Sequence, residues 1–327
     1  MQNIQNLSKR NSKKYPQIIA IVSNWNGMSI KYNDKSILKL CLNSLSKTDY
    51  PNLKIVLSDP SSIDNSVKFT KKNFPLVDVF VTEDSGLAGT INKSLKYSLT
   101  KYKHAKYFIW LNNDMIFEDK NWIRTMLKTF DISKSVGIVG CKLIYPNGRI
   151  QHAGMAIGNA PRNLGRGEID NGQYDKIIEV EAVTGAALMV KKDVIQKIGM
   201  FDERFFRSTE DADFCLRARN SGFNVFYNGN TRIIHLEGFS STQSTSKERK
   251  MAVLFEDRKS RIFFLRKHKY PILNFIIAIT IYFGEAIFSI EGKDRKRNLI
   301  NIKLKKNVLY NLIISIKAIF ASFSMKI

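Results

Sequence analysis

An unbroken apolar run near the start of the chain restricts the folds that this sequence can adopt. Residues 18–22 are all apolar and lead directly into the polar segment 23–27. A strand without alternating polar residues is covered on both faces, which is typical of a parallel sheet. Helical patterns alternate with three further apolar runs that are also predicted strands: 53–57, 77–81 and 107–111. This strand–helix rhythm predicts an open α/β sheet with right-handed crossovers.

Each of these predicted strands ends in polar side chains. Ser23 and Asn24 follow the first strand, and the next three end at or near Asp59, Asp84 and Asp114. In open α/β sheets, ligands bind beyond the carboxyl ends of the strands. One polar residue in such a place is ordinary turn chemistry, but four in succession predict one shared site.

The pattern changes after residue 135. Shorter strands are predicted at 136–145, 180–182 and 186–191. The Gly-rich stretch 154–172 is long for a loop in a compact domain, which is typical of a mobile lid or a binding loop. These features predict a smaller, mixed portion of the sheet after the parallel one.

Two adjacent acids open the next helical pattern. Glu210 and Asp211 precede an apolar helix face, the pattern stops at Gly222, and a strand ending at His235 follows. A carboxylate is favoured at a helix N-terminus, and a positioned carboxylate can also remove a proton from a sugar hydroxyl. From these residues alone, an acidic helix start and a catalytic acid are both open.

The chain is strongly basic. Its 327 residues include 52 Lys and Arg but 29 Asp and Glu, a formal net charge of +23. Such an excess is typical of proteins with an anionic partner: nucleic acid, anionic lipid or a phosphorylated substrate. The densest basic cluster, 293–306, lies between apolar tail segments rather than on the folded domain, which argues against nucleic acid.

The chain has three cysteines that lie far apart in the sequence: Cys41, Cys141 and Cys215. This spacing predicts buried thiols and neither a disulfide frame nor a zinc site.

Two apolar segments flank that basic cluster. Residues 272–290 are long enough to span a bilayer, but they contain Asn274 and Glu285, and a carboxylate in lipid is costly. Residues 309–323 are amphipathic, with an apolar side opposite Asn311, Ser315 and Ser322: Leu309, Leu312, Ile313, Ile316, Phe320 and Phe323. Amphipathic helices beside basic residues suit an anionic cytoplasmic leaflet, so helices lying in the membrane interface are favoured. There are two alternatives: a helix that truly spans the bilayer, and helices that pack on the folded domain or on a second subunit.

Taken in order, several short motifs of this chain resemble those of family 2 glycosyltransferases with the GT-A fold, close to the rhamnosyltransferase-like branch. The resemblance runs from about Ile18 to about Ser240. The motifs that carry it are Asn24-Trp25-Asn26-Gly27, Tyr50-Pro51 leading to Asp59, Ser61-Ser62-Ile63-Asp64-Asn65-Ser66, Ser85-Gly86-Leu87-Ala88-Gly89, Asn112-Asn113-Asp114, Val183-Thr184-Gly185-Ala186, Phe201-Asp202-Glu203-Arg204-Phe205-Phe206, Thr209-Glu210-Asp211 and His235. The resemblance implies a Rossmann-like, mainly parallel open sheet with a smaller mixed portion on the acceptor side, followed by C-terminal amphipathic helices.

The resemblance also implies a divalent metal, Mn²⁺ or Mg²⁺, at the donor diphosphate. Asp114 closes the counterpart of the family's DxD motif, where carboxylate oxygen holds a hard cation. Asn112 stands where the family usually has an acid, so weaker metal binding is expected. His235 matches the position from which some relatives supply a third ligand, and imidazole suits Mn²⁺ better than Mg²⁺. The alternatives to metal binding are that Asp114 only forms a turn and that His235 has a structural role.

A nucleotide pocket is implied at the ends of the first strands. Its residues would be Ser23, Trp25, Asp59, Asp84, Gly89 and Asn112. The acids would accept hydrogen bonds from the base or ribose, Trp25 would offer a flat face to the base, and glycine would let the backbone approach the diphosphate. Pro60 replaces the more usual Asn after Asp59. The alternatives to nucleotide binding are that Asp59 and Asp84 only form turns and that Gly89 only belongs to a helix start.

By the same resemblance, Asp211 is the catalytic base. It would remove the proton of the acceptor hydroxyl while that oxygen attacks the anomeric carbon from the opposite face, which inverts the anomeric configuration. Thr209 and Glu210 would orient the acceptor or Asp211. Arg204 and Arg217 are expected to form salt bridges with neighbouring acids rather than to face phosphate.

These expectations combine into one domain plan. Residues 1–16 form a polar, basic tail without a secretory signal, 17–245 the catalytic domain, and 246–327 a basic, helical, membrane-associating region. The predicted function is transfer of a sugar from a nucleotide-sugar donor to a lipid-linked or polysaccharide acceptor. The protein is expected at the cytoplasmic face of the cell membrane, as a peripheral or monotopic protein. An oligomer is possible. The missing QxxRW motif of processive synthases favours single additions. The alternative is an inactive relative acting as a membrane-associated scaffold.

Overall fold

The structure is a computed structural model that describes residues 15–158, 161–206, 208–237, 247–294, 299–304 and 308–327. The predicted basic tail, 1–16, lies almost wholly outside the described residues. Two compact units divide the chain. The first comprises Met1–Ile157, Arg162–Glu203 and Glu210–Gln243, and the second comprises Gly158–Pro161, Arg204–Thr209 and Ser244–Ile327. The predicted domain boundaries stay a prediction.

The first unit is built on a sheet that begins as predicted. Its parallel part contains β1 (Gln17–Ser23), β4 (Leu53–Asp59), β5 (Asp78–Val81) and β6 (Ala105–Asn112). Strand β1 is central here, with β4 and β6 on its two sides, and β5 forms the outer edge beyond β4. Residues 18–22 are buried because the sheet is covered on both faces.

Helices connect these strands. They are α1 (Ile37–Leu45), α2 (Ser66–Asn73), α3 (Gly86–Lys101) and, after β6, α4 (Trp122–Thr129). Helix α1 buries four apolar residues against the core that β1, β4 and β6 also line: Leu38, Cys41, Leu42 and Leu45. Its first residue, Ile37, is buried in a separate cluster with Ile30 and Leu236. A short antiparallel pair, β2 (Lys31–Tyr32) and β3 (Lys35–Ser36), precedes α1.

The remaining strands continue the sheet in mixed directions, which confirms the predicted fold class. Next to β6 lies antiparallel β13 (Ala187–Lys191), followed by β8 (Val136–Ile144), β14 (Asn224–His235) and β12 (Ile177–Glu179). Strands β8 and β14 run parallel to each other. The short strand β7 (Met115–Ile116) pairs with β14, and the short strand β9 (Ile150–His152) pairs with β8. Helices α5 (Lys192–Ile198) and α6 (Glu210–Asn220) lie between β13 and β14 in the chain.

One predicted strand is wrong and one predicted loop has structure. Residues 180–182 form no strand: the paired segment is β12, and Ala182 makes only an isolated bridge to Met155. The Gly-rich stretch contains the antiparallel pair β10 (Met155–Ala156) and β11 (Arg162–Asn163). Its far end is anchored, because the buried Lys142 ammonium pairs with Asp170 at 2.8 Å and with Asp175.

The second unit contains three helices and a hairpin. The helices are α7 (Lys247–Lys267), α8 (Ile272–Ile287) and α9 (Val308–Ser324), and the hairpin pairs β15 (Phe288–Asp294) with β16 (Leu299–Leu304). The single apolar helix expected over 272–290 is therefore wrong at its end, since the chain turns into β15 after Ile287. Among the described helices, none combines the length and apolarity that crossing a bilayer demands. Within the basic cluster, 295–298 and 305–306 lie outside the described residues.

Candidate active site

The strand register brings the predicted site residues to one edge of the sheet. Ser23, the last residue of β1, stands opposite Ser58 of β4 on one side and Asn112 of β6 on the other. Asp59 stands opposite Val81 of β5, and its carbonyl accepts a hydrogen bond from Thr82 N–H, two residues before Asp84. The carboxyl ends of four parallel strands thus meet, as the rhythm of the sequence predicts.

A buried network of hydrogen bonds connects three of these strand ends. Asn113 Nδ2 donates to Asn24 Oδ1 at 2.7 Å, and Asn24 Nδ2 donates to Asp59 Oδ2 at 2.7 Å. The other Asp59 oxygen accepts the backbone N–H of Ser62 at 2.6 Å. Asp59 is fully buried, and both of its oxygens already have donors within the protein. This geometry supports a structural role for Asp59, and its contact with a nucleotide stays a prediction.

Asp114 and His235 are brought together by the pairing of β7 with β14. His235 stands opposite Met115, and Leu236 N–H donates to the carbonyl of Asp114. As a result, His235 Nε2 lies 3.1 Å from Asp114 Oδ1 and 3.3 Å from Asn112 Nδ2. Asp114 Oδ1 is buried and accepts no well-directed hydrogen bond from any described residue. The carboxylate oxygen therefore approaches one point from the turn between β6 and β7, and the imidazole nitrogen approaches it from the end of β14.

Hydrogen bonds on the far side of His235 fix its tautomer. Gln151 Nε2 donates to the Glu237 carboxylate at 3.0 Å, so the amide oxygen must face His235. That oxygen lies 2.6 Å from His235 Nδ1, and since it can only accept, Nδ1 carries the proton. The Nε2 lone pair is left toward Asp114, which is the arrangement of a metal-ligating histidine.

The electrostatic environment of Asp114 Oδ1 and His235 Nε2 favours a cation. Burial disfavours the imidazolium form of His235, but the Asp114 and Glu237 carboxylates together outweigh burial and raise the pKa of His235 above its usual value. Without a metal, the imidazole can thus take up a proton at Nε2, facing Asp114. A carboxylate and an imidazole aimed at one buried point also fit a transition-metal ion such as Mn²⁺. The described residues hold no group of three or more His, Cys, Asp or Glu side chains suited to a metal, so Asp114 and His235 would supply only part of a ligand set.

Asp211 lies in the first turn of α6 and is held by backbone donors. Its Oδ2 accepts Gly185 N–H at 2.8 Å, and its Oδ1 accepts Ala212 N–H at 2.7 Å. Burial raises the pKa of Asp211 above the usual value for an aspartate, although these hydrogen bonds act in the opposite direction. The side chain retains partial exposure. A fixed, partly exposed carboxylate of raised basicity is suited to proton abstraction.

The segment that holds Asp211 also borders the Asp114 turn. Asn112 N–H donates to the carbonyl of Ala186 at 3.1 Å, so Gly185 and Ala186 bridge the catalytic candidate and the end of β6. A side chain at Gly185 would crowd Asp211, since an added Cβ would lie 3.3 Å from Asp211 Cβ. Asp211, Asp114 and His235 therefore belong to one contiguous set of contacts.

The other predicted nucleotide residues surround these strand ends with less specific geometry. Asp84 is exposed, and its Oδ1 accepts Gly86 N–H at 3.0 Å at the start of α3. Gly89 is buried, and a Cβ there would lie 2.7 Å from Ser85 Oγ. Ser23 and Trp25 are half-buried. A helix-start role fits Asp84 and Gly89, and nucleotide binding by all four residues stays a prediction.

The predicted acceptor-orienting residues fall in different units. Glu210 is the first residue of α6 and is buried, whereas Thr209 belongs to the second unit and has a left-handed backbone, with φ of 64°. Their roles stay predictions. Arg217 forms the expected salt bridge, with Asp213 at 2.8 Å. Arg204 donates to the carbonyl of Lys326 at 2.5 Å and covers the ring of Phe263, and its expected salt bridge stays a prediction.

Several contributors to the site carry no separate signal in the sequence. Gln151 fixes the imidazole of His235 from a strand more than eighty positions earlier. His152 is buried, and burial lowers its pKa to about 4, so it is neutral and can accept Thr184 N–H at 3.5 Å beside Gly185. Asn113 lies inside a recognised motif, but its partner Asn24 becomes visible only through the strand pairing.

Comparison with known proteins gives the family and the fold. The family described as "Glycosyltransferase like family" matches residues 73–256, more than half of the chain. The chain is 32% identical over 148 residues to the O-antigen biosynthesis protein RfbC of Myxococcus xanthus, and 26% identical over 141 residues to the low-salt glycan biosynthesis hexosyltransferase Agl10 of Haloferax volcanii. Each alignment covers 43% of this chain, but 12% and 45% of those relatives, respectively. The chain therefore matches less than half of either protein.

Solved structures share the architecture at low sequence identity. The mannosyltransferase PcManGT of Pyrobaculum calidifontis, in complex with GDP-Man and Mn²⁺, has a TM-score of 0.53 at 13% identity, covering 96% of this chain and 77% of that one. GalNAc-T7 with UDP, GalNAc and Mn²⁺ has a TM-score of 0.57 at 15% identity, covering 78% and 48%. These similarities confirm the GT-A fold, while the narrower rhamnosyltransferase-like assignment stays a prediction. From the family match together with the fold, the chain belongs to the glycosyltransferase-like family, with the GT-A fold of family 2 enzymes.

Proposed function

We propose that this protein transfers a sugar from a nucleotide-sugar donor to a hydroxyl of a lipid-linked or polysaccharide acceptor, with inversion at the anomeric carbon. The observation that carries the proposal is the contact series from Asp211 through Gly185 and Ala186 to the Asp114 turn. It puts a candidate base and a candidate cation site on the same sheet edge. Glycan-synthesising relatives and the nucleotide complexes of structural neighbours support this reaction class.

Asp211 is the base in this proposal. It accepts the proton of the acceptor hydroxyl while that oxygen attacks the anomeric carbon from the face opposite the diphosphate. The bond between the anomeric carbon and the diphosphate oxygen breaks, and its electron pair leaves with the nucleoside diphosphate. The backbone donors at Gly185 and Ala212 keep the carboxylate oriented, and its raised pKa makes it a stronger base than an exposed aspartate.

Asp114 and His235 would hold the divalent metal. A bound divalent cation neutralises negative charge on the departing diphosphate. Gln151 keeps the His235 lone pair available, and the Asp114 carboxylate supplies negative charge. Asn112 adds an amide but no charge, so Asp114 is the one carboxylate contributed by the Asn112-Asn113-Asp114 motif.

The test is turnover of nucleotide-sugars by an Asp211→Asn variant. Thermal shifts with UDP-, GDP- and dTDP-sugars in the presence of Mn²⁺ identify a donor, because a ligand of the folded state raises the melting temperature. Asp211→Asn is expected to keep the donor-induced shift and to lose at least ~100-fold in turnover. Asn relieves the cost of burying the charge but keeps only one of the two acceptors that bond Gly185 N–H and Ala212 N–H, so its melting temperature should stay within a few degrees of that of the wild type.

Asp193→Asn is the matched control, because it makes the same change at an exposed acid in the first turn of α5. It should leave turnover unchanged. Unaltered turnover in Asp211→Asn would remove Asp211 as the base. Donor binding without turnover in the wild-type protein would instead favour the inactive scaffold, for which Asn112 in the metal motif is the motivating feature.

A further inference from the structure

Helix α9 presents an apolar stripe to the outside of the protein. Leu309 is 73% exposed and Phe320 is 72% exposed. With Ile313, Ile316 and Phe323, which are also exposed, they recur at intervals of three and four residues and so share one helix face. A soluble helix normally turns such a face toward its core, so this stripe needs a covering partner.

The polar side of the same helix faces inward. Ser315 and Ser322 are fully buried, together with the small residue Ala318. Their oxygens are bonded from α7, since Arg258 donates to the hydroxyl of Ser315 and Arg266 donates to the carbonyl of Ser322. Helix α9 is therefore attached to its own unit through these polar contacts and the buried Ile314, and packing within the unit leaves the apolar stripe open.

Helix α8 has the same inverted arrangement. Its residues Asn274, Ala278 and Tyr282 are buried, at intervals of four. Four of its large aliphatic side chains are exposed: Ile272, Leu273, Ile276 and Ile281. Two helices of one unit thus both bury polar or small residues and leave several large aliphatic residues exposed. A repeated inversion indicates a surface built for an apolar environment.

Charge identifies the occupant of this surface. Residues 295–327 contain eight Lys or Arg and no Asp or Glu. Two copies of such a segment would repel each other, so self-association through this face is disfavoured. Nucleic acid would match the charge but not the aliphatic stripe. An anionic lipid surface matches both, because its headgroups attract Lys and Arg while its acyl region accepts aliphatic side chains.

We propose that α9, supported by α8, lies in the plane of an anionic membrane with its outward stripe inserted below the headgroups. Lys317 and Lys326 are exposed on this last segment, where they can reach headgroup phosphates. Arg266 covers the ring of Phe323 at 4.7 Å and adds a cation at the end of the stripe. The proposal does not depend on sugar transfer, and it would give an enzyme of this family access to acceptors carried in the membrane.

The experiment is co-sedimentation of the full chain with vesicles of phosphatidylcholine alone or mixed with phosphatidylglycerol. The wild type is expected to bind the mixed vesicles and to be released from them by high salt. Leu309→Ser with Ile316→Ser should weaken binding at least about tenfold, because two inserted aliphatic side chains are lost. Both positions are exposed, so the fold should be unaffected.

The chain offers a matched control with identical chemical changes. Leu76 and Ile132 are exposed apolar residues of the first unit, so Leu76→Ser with Ile132→Ser should leave vesicle binding intact. Equal binding by both double variants, or no binding by the wild type, would overturn the proposal. So would a wild-type dimer in light scattering that the α9 variant dissociates, since the stripe would then be an interface between copies.

Discussion

Gln151→Leu tests whether the hydrogen bond behind His235 prepares this side chain for a metal. The substitution keeps an aliphatic side chain of similar length but removes the acceptor at His235 Nδ1 and the donor to Glu237. A buried N–H left without an acceptor costs about 1–3 kcal/mol. For a protein of this size the melting temperature should therefore fall by roughly 2–10 °C. The imidazole also loses the bond that fixes its tautomer, so Mn²⁺ affinity should fall about 10–100-fold.

The assay is titration of Mn²⁺ followed by the electron paramagnetic resonance signal of the free ion, alongside thermal unfolding. Tyr145→Phe is the control, because Tyr145 donates to the same Glu237 carboxylate at 2.8 Å without bonding to His235. It should cost about 0.5–1.5 kcal/mol and leave Mn²⁺ affinity unchanged. If Gln151→Leu and Tyr145→Phe bind Mn²⁺ equally, the hydrogen bond to His235 does not prepare a metal ligand.

Three further perturbations address the base, the loop anchor and the network of hydrogen bonds at the strand ends. Asp211 must be deprotonated to act, so kcat should rise with pH through its folded pKa, which burial raises above the usual aspartate value; a flat profile would contradict this role. Lys142→Met leaves Asp170 buried without its cation and should cost roughly 3–5 kcal/mol in urea unfolding. Burial alone would raise the pKa of Asp170, but Lys142 holds this pKa below its usual range. The destabilisation caused by Lys142→Met should therefore shrink as the pH falls through the pKa of Asp170 in the folded protein. Gly27→Ala puts a Cβ 2.6 Å from Asn113 Nδ2 and should destabilise by about 1–3 kcal/mol, and a gain in melting temperature would contradict the network.

The sequence predicts the parallel half of the sheet well, for a physical reason. Buried strands such as residues 18–22 have no polar alternation, and each ends where a polar residue is needed for the turn. The order of strands and crossovers then follows from general rules of α/β topology. The prediction of a strand at 180–182 is wrong because the buried Val180 and Ala182 alternate with the exposed Glu181 as they would in a strand, yet Ala182 makes only an isolated bridge. The segment that pairs with β14 is instead Ile177–Glu179, whose side chains are exposed or half-buried.

The site and the tail show what sequence patterns leave out. Asp114 and His235 are recognisable as motif residues, but Gln151 gains its role only through the pairing of β9 with β8. For α9, a helical wheel identifies an apolar and a polar side without saying which one faces inward. The contacts of Arg258 and Arg266 decide this, and they reverse the usual expectation for a soluble helix.

The stereochemistry of slow donor hydrolysis tests the central claim, that Asp211 acts as a base in a single displacement, most directly. Water can replace the acceptor hydroxyl, so proton NMR of the first sugar released reports the outcome without knowledge of the acceptor. We expect the anomer opposite to that of the donor, formed by the wild type and by Asp193→Asn but not by Asp211→Asn. Release of the same anomer as in the donor, or undiminished release by Asp211→Asn, would contradict the account.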